Sequence, residues 1–388
     1  MVVHPRHSRA LAALKGLCAS LVALLCVLLV LEVVLRTTHL FGARLAWAEP
    51  DDRIVYRFTP GRYYWQFKEN DHPVSGKINS WGWRDRERVL DRPPGVSRVC
   101  FLGDSMLAAF EVEADSTFVA IAEDELNGRG HTPVEILNLG LPGATQTEEL
   151  LVLQSDVAKF SPDVVAVYFN PGNDIDDVAR ETRGPLRAYF LVNEDGTLRL
   201  DTSFTRTRQY RTRKAINTWK QRSAVVSLVA ERYNLLARAR RLGAREAGSR
   251  GFPRHLRLCT AGGDELYARN YRLNKRLIRE MSEWCDARGV RFLLVCGSSV
   301  YEPEEIAEYR AADASFDADY FENDLASFAD SLGVEYLGLQ SVFRAHVEGG
   351  GGPLNWGHLN YHGHRVVARA LVTKLEQMLA DAQVSQDG

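Results

Sequence analysis

The sequence lacks the motifs that would define a metal or nucleotide site. The chain of 388 residues has six cysteines, with no Cys-x-x-Cys pair and no Cys/His cluster. A metal site therefore has no support, and no cofactor is expected. No Gly-x-x-x-x-Gly-Lys-Ser/Thr loop is present, which argues against a phosphate-binding module. No internal repeat is visible.

The positions of the cysteines do not predict a disulfide. Two lie in an N-terminal apolar stretch and two in predicted buried strands, which leaves Cys259 and Cys285 as the pair expected to be accessible. An exported location would permit a disulfide, but the spacing does not demand one.

Net charge is low overall but unevenly distributed. The whole chain carries −2, whereas residues 206–257 hold 15 Lys and Arg against two acids, a local charge of +13. Such a segment could attract an anionic polymer or lipid headgroups. The alternative is a solvated helical face, because Arg is also a good helix former. Nucleic acid is not an expected partner, because an exported location argues against it.

Residues 16–35 form a long apolar stretch whose only charge is Glu32. Twenty residues fall within the roughly 17–25 that span a bilayer, and an acid near one end is tolerable at the interface. Three basic residues precede the stretch (Arg6, Arg9 and Lys15). We therefore expect a single-pass anchor in the cytoplasmic (inner) membrane, with the N-terminus inside and the bulk of the chain periplasmic or extracellular.

A cleaved signal peptide is the alternative to an anchor. Ala46-Trp-Ala48 has the small-residue form of a cleavage site, but it lies 13 residues beyond Leu35. Such sites normally follow the apolar region closely. The spacing therefore favours an uncleaved anchor.

Strands alternate with helices along most of the remaining chain, which predicts an α/β domain with a parallel sheet. The predicted strands cover 98–102, 134–138, 163–169, 290–296 and 334–339. The predicted helices cover 116–128, 146–159, 264–288, 318–332 and about 363–381. The alternation breaks after residue 179, where Asp195-Gly196 predicts a hairpin before a basic, helical stretch.

These patterns predict seven segments. They are a cytoplasmic N-terminus (1–15), the transmembrane anchor (16–35), an approach segment (36–97), the first half of the core (98–179), a basic α/β insertion (180–263), the second half of the core (264–382) and a tail (383–388).

The candidate catalytic residues stand where predicted strands end. Ser105 follows the first strand in Gly103-Asp104-Ser105, and a serine hydroxyl needs a base and oxyanion donors to act as a nucleophile. The N–H of Ser105, the N–H of Gly143 and the amide of Asn173 could supply those donors, and His358 could supply the base. The carboxyl ends of parallel strands meet at one edge, so these four residues are expected to converge there.

Four blocks that contain these residues resemble the SGNH (GDSL-type) hydrolase superfamily. The blocks are Val99–Ser105, Leu137–Thr145, Gly172–Asp174 and Asn355–His364, and Ile78–Asp85 also resembles membrane-anchored bacterial members. The similarity covers about residues 78–178 and 264–380. It implies a flavodoxin-like three-layer parallel sheet (the SGNH hydrolase fold), with one N-terminal transmembrane helix and an α/β insertion added in this chain.

The resemblance also implies the roles of the site residues. It assigns Ser105 as nucleophile, His358 as base, and the N–H of Ser105, the N–H of Gly143 and the side chain of Asn173 as oxyanion donors. The superfamily includes esterases, lipases, carbohydrate deacetylases and O-acetyltransferases. His362 and His364 are rival bases, but they stand at the start of the last predicted helix.

Asn355 departs from the family pattern, which usually has Asp three residues before the histidine. An Asn can orient the ring but carries no charge, and in a serine-protease triad the equivalent Asp→Asn change lowers turnover about 10⁴-fold. Three interpretations stay open. In the first, Asn355 or a backbone carbonyl orients His358 in a dyad. In the second, another acid such as Glu348 substitutes, and in the third the site is impaired and only binds.

The sequence therefore predicts a serine-dependent ester hydrolase that acts outside the cytoplasmic membrane through an acyl-serine intermediate. The alternatives are an O-acyltransferase for envelope polysaccharide and a catalytically impaired glycan- or lipid-binding module. The expected partners are an acylated carbohydrate or lipid substrate, the membrane at residues 16–35, and an anionic polymer at the basic insertion.

Overall fold

The computed structural model describes residues 5–387, apart from residues 39, 41–43, 55, 67–68, 70, 131 and 247–251. Only the backbone is described for residues 5–10, 238–246 and 381–387.

The described chain alternates helices and strands over most of its length. The strands are β1 (Ala48–Glu49), β2 (Arg57–Phe58), β3 (Tyr63–Gln66), β4 (Val74–Lys77), β5 (Ser97–Gly103), β6 (Val134–Gly140), β7 (Val164–Phe169), β8 (Tyr189–Val192), β9 (Leu198–Asp201), β10 (Arg291–Cys296) and β11 (Glu335–Gly338). The helices are α1 (Pro5–Thr38), α2 (Ser105–Ala108), α3 (Phe118–Gly128), α4 (Gln146–Ser155), α5 (Pro171–Asp177), α6 (Arg180–Arg183), α7 (Arg208–Lys220), α8 (Ala224–Glu246), α9 (Glu265–Asp286), α10 (Pro303–Ala312), α11 (Tyr320–Leu332), α12 (Gln340–Glu348) and α13 (Tyr361–Asp387).

The chain divides into two compact units. One joins Met1–Glu49 with Thr212–Ser249, and the other joins Pro50–Arg211 with Arg250–Gly388. The second unit holds the parallel sheet and every candidate catalytic residue.

The sheet of the second unit has five parallel strands in the order β11-β10-β7-β5-β6. Numbered along the chain, this is the 2-1-3-4-5 order of flavodoxin-like folds, which places a switch point where β5 and β7 meet. The sequence-based expectation of a flavodoxin-like parallel sheet is confirmed. The loop after β5 opens at this switch point, and it carries Ser105.

The strands are apolar on both sides because helices cover both faces of the sheet. On one face, Val99 and Phe101 of β5 belong to a buried cluster that includes side chains of α3 and α13. On the other face, α4 packs against both β5 and α9. Full burial of each Val or Phe side chain stabilises the fold by about 1.5–3 kcal/mol, so this layer is the rigid base of the site.

The β8–β9 hairpin lies where Asp195-Gly196 predicted one. Its strands pair antiparallel from Tyr189 with Asp201 to Val192 with Leu198. Gly196 has a φ of +80°, a conformation that glycine adopts without steric cost. The prediction of a hairpin here is confirmed.

Some features of the second unit differ from the sequence-based expectation. Cys259 and Cys285 are buried rather than accessible, because the short helical turn at His255–Cys259 and the inner face of α9 both pack into the core. Helices α10 and α12 were not predicted, and α4 ends at Ser155 rather than at residue 159.

In the first unit, one helix is long and apolar enough to cross a membrane. Its span covers Leu11–Thr38, and none of its most apolar window is buried within the protein. By length and composition it is a candidate signal anchor or transmembrane helix.

Candidate active site

Ser105 stands at the turn from β5 into α2. The side chain of Asp104 caps this helix by accepting a hydrogen bond from the N–H of Met106 at 2.8 Å. Ser105 is the first helical residue, so its own N–H has no acceptor within the helix. The residue is 8% exposed, which leaves its hydroxyl within reach of a ligand at the carboxyl edge of the sheet.

His358 approaches Ser105 from the connection between α12 and α13. Its Nε2 atom lies 2.8 Å from Oγ of Ser105, within the reach of a general base. The connection is folded tightly, with an isolated β-bridge between Asn355 and Leu359 and a hydrogen bond from the N–H of Trp356 to the carbonyl of His358 at 2.8 Å. These backbone contacts therefore fix the position of the main chain of His358, from which the imidazole extends.

Glu69 completes a chain of hydrogen bonds through His358. Its Oε1 atom lies 2.8 Å from Nδ1 of His358, and its Oε2 atom accepts a hydrogen bond from the N–H of His358 at 2.7 Å. One carboxylate thus holds both the ring and the backbone of the base. With Nδ1–H donating to Glu69, Nε2 is free to accept the proton of Ser105.

The connection between β3 and β4 carries Glu69, and hydrogen bonds of His72 hold this connection in place. His72 lies 3.1 Å from the hydroxyl of Tyr361 and 3.3 Å from Oε1 of Glu113. Its hydrogen bond to Asp71 and the charge of Glu113 raise the pKa of His72. Protonation of His72 therefore strengthens its contact with Glu113.

Arg84 holds the β3–β4 hairpin at its open end through Tyr64 of β3. It is buried, and it donates to the hydroxyl of Tyr64 in β3 at 2.8 Å and to the carbonyls of Ala108 and Val112 at 2.9 and 2.5 Å. The approach segment is thus tied to the backbone that follows the nucleophile. Within the block Ile78–Asp85, Arg84 therefore has a structural role.

Glu111 is a second carboxylate beside the base. Its Oε1 atom lies 3.6 Å from Nδ1 of His358, and its side chain is 1% exposed. The ligand atoms of Glu69, Glu111 and His358 lie within 4.8 Å of one another, so this set could also hold a cation. Instead, Nδ1–H of His358 donates to Glu69 and Nε2 accepts from the hydroxyl of Ser105, an arrangement that fits an acid–base role.

The described side-chain hydrogen bonds of Asn355 do not include the ring of His358, which one of the three interpretations had it orient. In the described contacts its amide donates to the hydroxyl of Tyr301 at 2.6 Å. Glu348, the alternative acid, lines a separate cavity of about 540 Å³ beside Arg344. Neither occupies the place beside Nδ1 of His358, where the structure has Glu69.

The two rival histidines have other surroundings. His364 is fully buried and accepts a hydrogen bond from the N–H of Phe118 at 3.1 Å. Burial, with the charge of Arg84, lowers its pKa to about 3, so it is neutral at physiological pH. His362 packs against the ring of His346.

Asn173 is aimed by Asp104. In α5, its Nδ2 donates to Oδ2 of Asp104 at 3.0 Å, and Asn170 donates to the same oxygen at 2.9 Å. An amide nitrogen has two hydrogens, so the second N–H of Asn173 stays available for an oxyanion. Asp104 therefore caps the helix that begins at Ser105 and also orients the amide of Asn173.

Gly143 occupies the turn after β6 with a φ of +76°, which favours glycine. Its carbonyl accepts a hydrogen bond from buried Arg187 at 2.8 Å, and Arg187 pairs with Glu148 at 2.7 Å. Among the described residues, the N–H of Gly143 has no hydrogen-bond acceptor. That N–H is therefore available to a ligand.

Two buried acids, Glu149 and Asp174, lie near Asp104. Burial, reinforced by neighbouring carboxylates, raises the pKa of both Glu149 and Asp174 well above the ordinary range. Gln146 donates to Asp174 at 2.8 Å, as does the N–H of Asn170 at 2.7 Å. Burial therefore favours the protonated form of each acid, which limits the charge buried near Asp104.

Comparisons with known proteins found structural similarity but no sequence relatives. No protein-family model and no curated protein matches the sequence. An acetyl xylan esterase, AlAXEase, is 15% identical with a TM-score of 0.39, over 71% of this chain and 98% of that one. An α/β-hydrolase enzyme from the metagenome of Lake Arreo, Spain, is 17% identical with a TM-score of 0.40, over 72% and 94%.

A lipolytic protein of the G-D-S-L family from Desulfitobacterium hafniense is also similar, at 12% identity and a TM-score of 0.34, over 71% of this chain and 98% of that one. These values are too low to indicate a shared activity. The strand order and the meeting of the motif residues at one edge agree with an SGNH-type fold on their own. Function therefore has to be inferred from the contacts of Ser105, His358 and Glu69.

Proposed function

We propose that the protein is a serine-dependent ester hydrolase with a Ser105–His358–Glu69 triad. The observation that carries this proposal is the unbroken path from Oγ of Ser105 to Nε2 of His358, and from Nδ1 of His358 to Oε1 of Glu69, with 2.8 Å at each step. A nucleophile, a base and an orienting acid in hydrogen-bond reach are the signature of activated nucleophilic catalysis. This geometry favours an enzyme over an impaired binding module.

Acylation begins when Oγ of Ser105 attacks the ester carbonyl while His358 takes the hydroxyl proton. The carbonyl oxygen becomes an oxyanion, which the N–H groups of Ser105 and Gly143 and the amide of Asn173 stabilise. Glu69 stabilises the imidazolium that forms. The tetrahedral intermediate then expels the alcohol, which leaves with the proton from His358, and an acyl-serine remains.

Deacylation repeats these steps with water as the nucleophile. His358 takes a proton from water as its oxygen attacks the acyl carbonyl, and the same donors hold the second oxyanion. Collapse of this intermediate breaks the bond to Oγ of Ser105, which recovers its proton from His358. The products are a carboxylic acid and free enzyme.

Acylated carbohydrate or lipid of the cell envelope is the substrate class that we propose. Arg6, Arg9 and Lys15, which precede the apolar stretch of α1, support an orientation with the catalytic unit outside the cytoplasmic membrane. Trp356 is 41% exposed and lies two residues from His358. An exposed indole beside the base is suited to stacking on a sugar ring.

The experiment is ester turnover by the purified full chain, with p-nitrophenyl acetate as substrate. We expect Ser105→Ala to lower turnover by at least about 10³-fold, whereas Ser327→Ala, an exposed serine on α11, leaves it unchanged. Acid quenching should trap an acetyl group on the Ser105 peptide by mass spectrometry. Turnover in Ser105→Ala equal to that of the wild type would refute the proposal.

A further inference from the structure

The single charge in the apolar stretch of α1 caps another helix. Oε1 of Glu32 accepts a hydrogen bond from the N–H of Ala224 at 2.8 Å, and Oε2 accepts from Oγ of Ser223 at 2.8 Å and from the N–H of Val225 at 3.1 Å. The first N–H groups of a helix have no partners within it. Glu32 therefore fixes where α8 begins against α1.

This contact sets the depth at which α8 starts. Glu32 lies three residues before Leu35, the last residue of the apolar stretch, which is a rise of about 4.5 Å. Residues 11–31 of α1 are exposed throughout, whereas Leu35 is 1% exposed and packs with Ala224. Helix α8 thus meets only the end of the apolar stretch and does not run alongside the rest of it.

Large apolar side chains on α7 and α8 are exposed in the part of the chain that the structure describes. On α8, Val229, Tyr233 and Leu236 are 64%, 72% and 62% exposed. Their spacing of four and three residues puts them on one face of the helix. On α7, Ile216 and Trp219 are 48% and 62% exposed and lie three residues apart.

The charges of the same segment are mostly basic. Residues 212–237 contain one acid, Glu231, and five basic residues, which are Arg213, Lys214, Lys220, Arg222 and Arg232. Apolar faces with Trp and Tyr next to Lys and Arg are typical of helices that lie in a membrane interface. Basic side chains are attracted to the anionic headgroups of such a surface.

We propose that residues 212–237 form an interfacial collar in the membrane that α1 crosses. The exposed face of Val229, Tyr233 and Leu236 contacts the acyl chains, and the basic side chains contact anionic headgroups. The lipid surface is the occupant because α8, which carries this face, begins beside Glu32 and Leu35, where the apolar stretch of α1 ends. The inference rests on the proposed anchor, and it gives the basic insertion a lipid partner rather than a polymer.

Quenching of site-specific fluorophores in proteoliposomes tests the collar. In the full chain with Cys18→Ser and Cys26→Ser, single labels are placed at Tyr233→Cys, at Leu236→Cys and at Asn234→Cys, which lies about 100° round the helix from Tyr233. We expect lipid with a nitroxide near the headgroup to quench the labels at 233 and 236, and aqueous iodide to quench the label at 234. Equal quenching by iodide at all three positions, or by neither quencher at 233, would overturn the proposal.

A label at Leu24→Cys separates this proposal from the anchor itself. A nitroxide deep in the acyl region should quench it if α1 spans the bilayer. If nitroxide lipid quenches the label at position 24 but not the label at position 233, the collar alone is refuted. If it quenches neither label, the anchor on which the collar rests is refuted as well. Ester turnover does not enter either readout.

The cap and the charges have their own tests. Glu32→Ala should raise iodide quenching of the 233 label at least about twofold, because α8 loses its capping group; circular dichroism checks that the variant folds. Replacing Arg213, Lys214 and Arg222 by Gln should remove any increase in lipid contact when phosphatidylglycerol is added to phosphatidylcholine vesicles. Lipid contact that is indifferent to phosphatidylglycerol in the unmutated collar would refute the anionic preference.

Discussion

The side chain of Glu69 holds His358 at two atoms, although 289 positions separate them in the chain. Its Oε1 atom lies 2.8 Å from Nδ1, and its Oε2 atom accepts from the backbone N–H at 2.7 Å. Fixing both the ring and the backbone limits how the imidazole can move. The acid of the proposed triad thus comes from the β3–β4 hairpin, before the nucleophile in the chain.

Glu111 should matter less than Glu69. It lies 3.6 Å from Nδ1 of His358, beyond a hydrogen bond, so it can stabilise the imidazolium only through space. We expect Glu111→Gln to lower turnover about tenfold, which is about 1.4 kcal/mol. Steady-state kinetics with p-nitrophenyl acetate measures this. A loss as large as that of Glu69→Gln would mean that Glu111 is the principal acid.

Asp104→Asn should lower turnover without weakening the fold. The variant keeps a good capping residue, because Asn and Asp are similar at that position, but it loses the anion that orients Asn173. We expect kcat to fall by about 10²–10³-fold, as for loss of an oxyanion donor, with KM little changed.

Thermal unfolding provides the control for Asp104→Asn. The midpoint should shift by no more than a few degrees, and Asn170→Ala should cost less activity because Asn173 keeps its contact with Asp104. A kcat equal to that of the wild type would show that Asp104 does not orient the oxyanion donor.

Gly357→Ala should displace the triad acid. Gly357 has a φ of +128°, and a Cβ there would lie 3.0 Å from Oε2 of Glu69. We expect turnover to fall at least about tenfold, because Glu69 must move away from His358. Gly350→Ala is the matched control, since Gly350 also has a positive φ but opens onto free space. If both variants lose activity equally, backbone strain rather than the contact with Glu69 is responsible.

The buried pair of acids predicts how stability depends on pH. Burial raises the pKa of Glu149 and Asp174 well above the ordinary range, so the folded protein keeps a proton that the unfolded chain releases above about pH 4. The free energy of unfolding should therefore decrease as pH rises from about 4 towards the folded pKa.

Glu149→Gln should flatten this decrease, because a neutral amide replaces an acid that must stay protonated. Thermal unfolding measured at a series of pH values above about 4, where the unfolded chain has lost the proton, gives the slope. Glu194→Gln, in the exposed β8–β9 turn, should leave the slope unchanged. Parallel curves for wild type and Glu149→Gln would show that Glu149 does not carry the pH dependence.

Much of the sheet could be predicted from the sequence because its strands are short apolar runs between helices with clear amphipathic spacing. Residues at the ends of those strands, such as Ser105 and Asn173, could be placed on one edge by topology alone. His358 follows the last strand and its helix, and the structure brings it to the same edge.

Glu69 could not be predicted in the same way. It lies in a segment without strand–helix alternation, and its sequence surroundings are those of an ordinary surface acid. Its position depends on the pairing of β3 with β4 and on buried Arg84, which ties Tyr64 to the backbone after Ser105. Short antiparallel pairs held by such long-range contacts leave little local signal.

The most direct test of the triad is the rate at which a fluorophosphonate labels the full chain. We expect rapid labelling of the wild type, none of Ser105→Ala, and labelling of Glu69→Gln slowed by about 10²–10⁴-fold, because the base loses its orienting charge. Asn355→Ala and Glu348→Gln should label at close to the wild-type rate. Wild-type labelling of Glu69→Gln, with loss of labelling in Asn355→Ala, would contradict the proposed Ser105–His358–Glu69 triad.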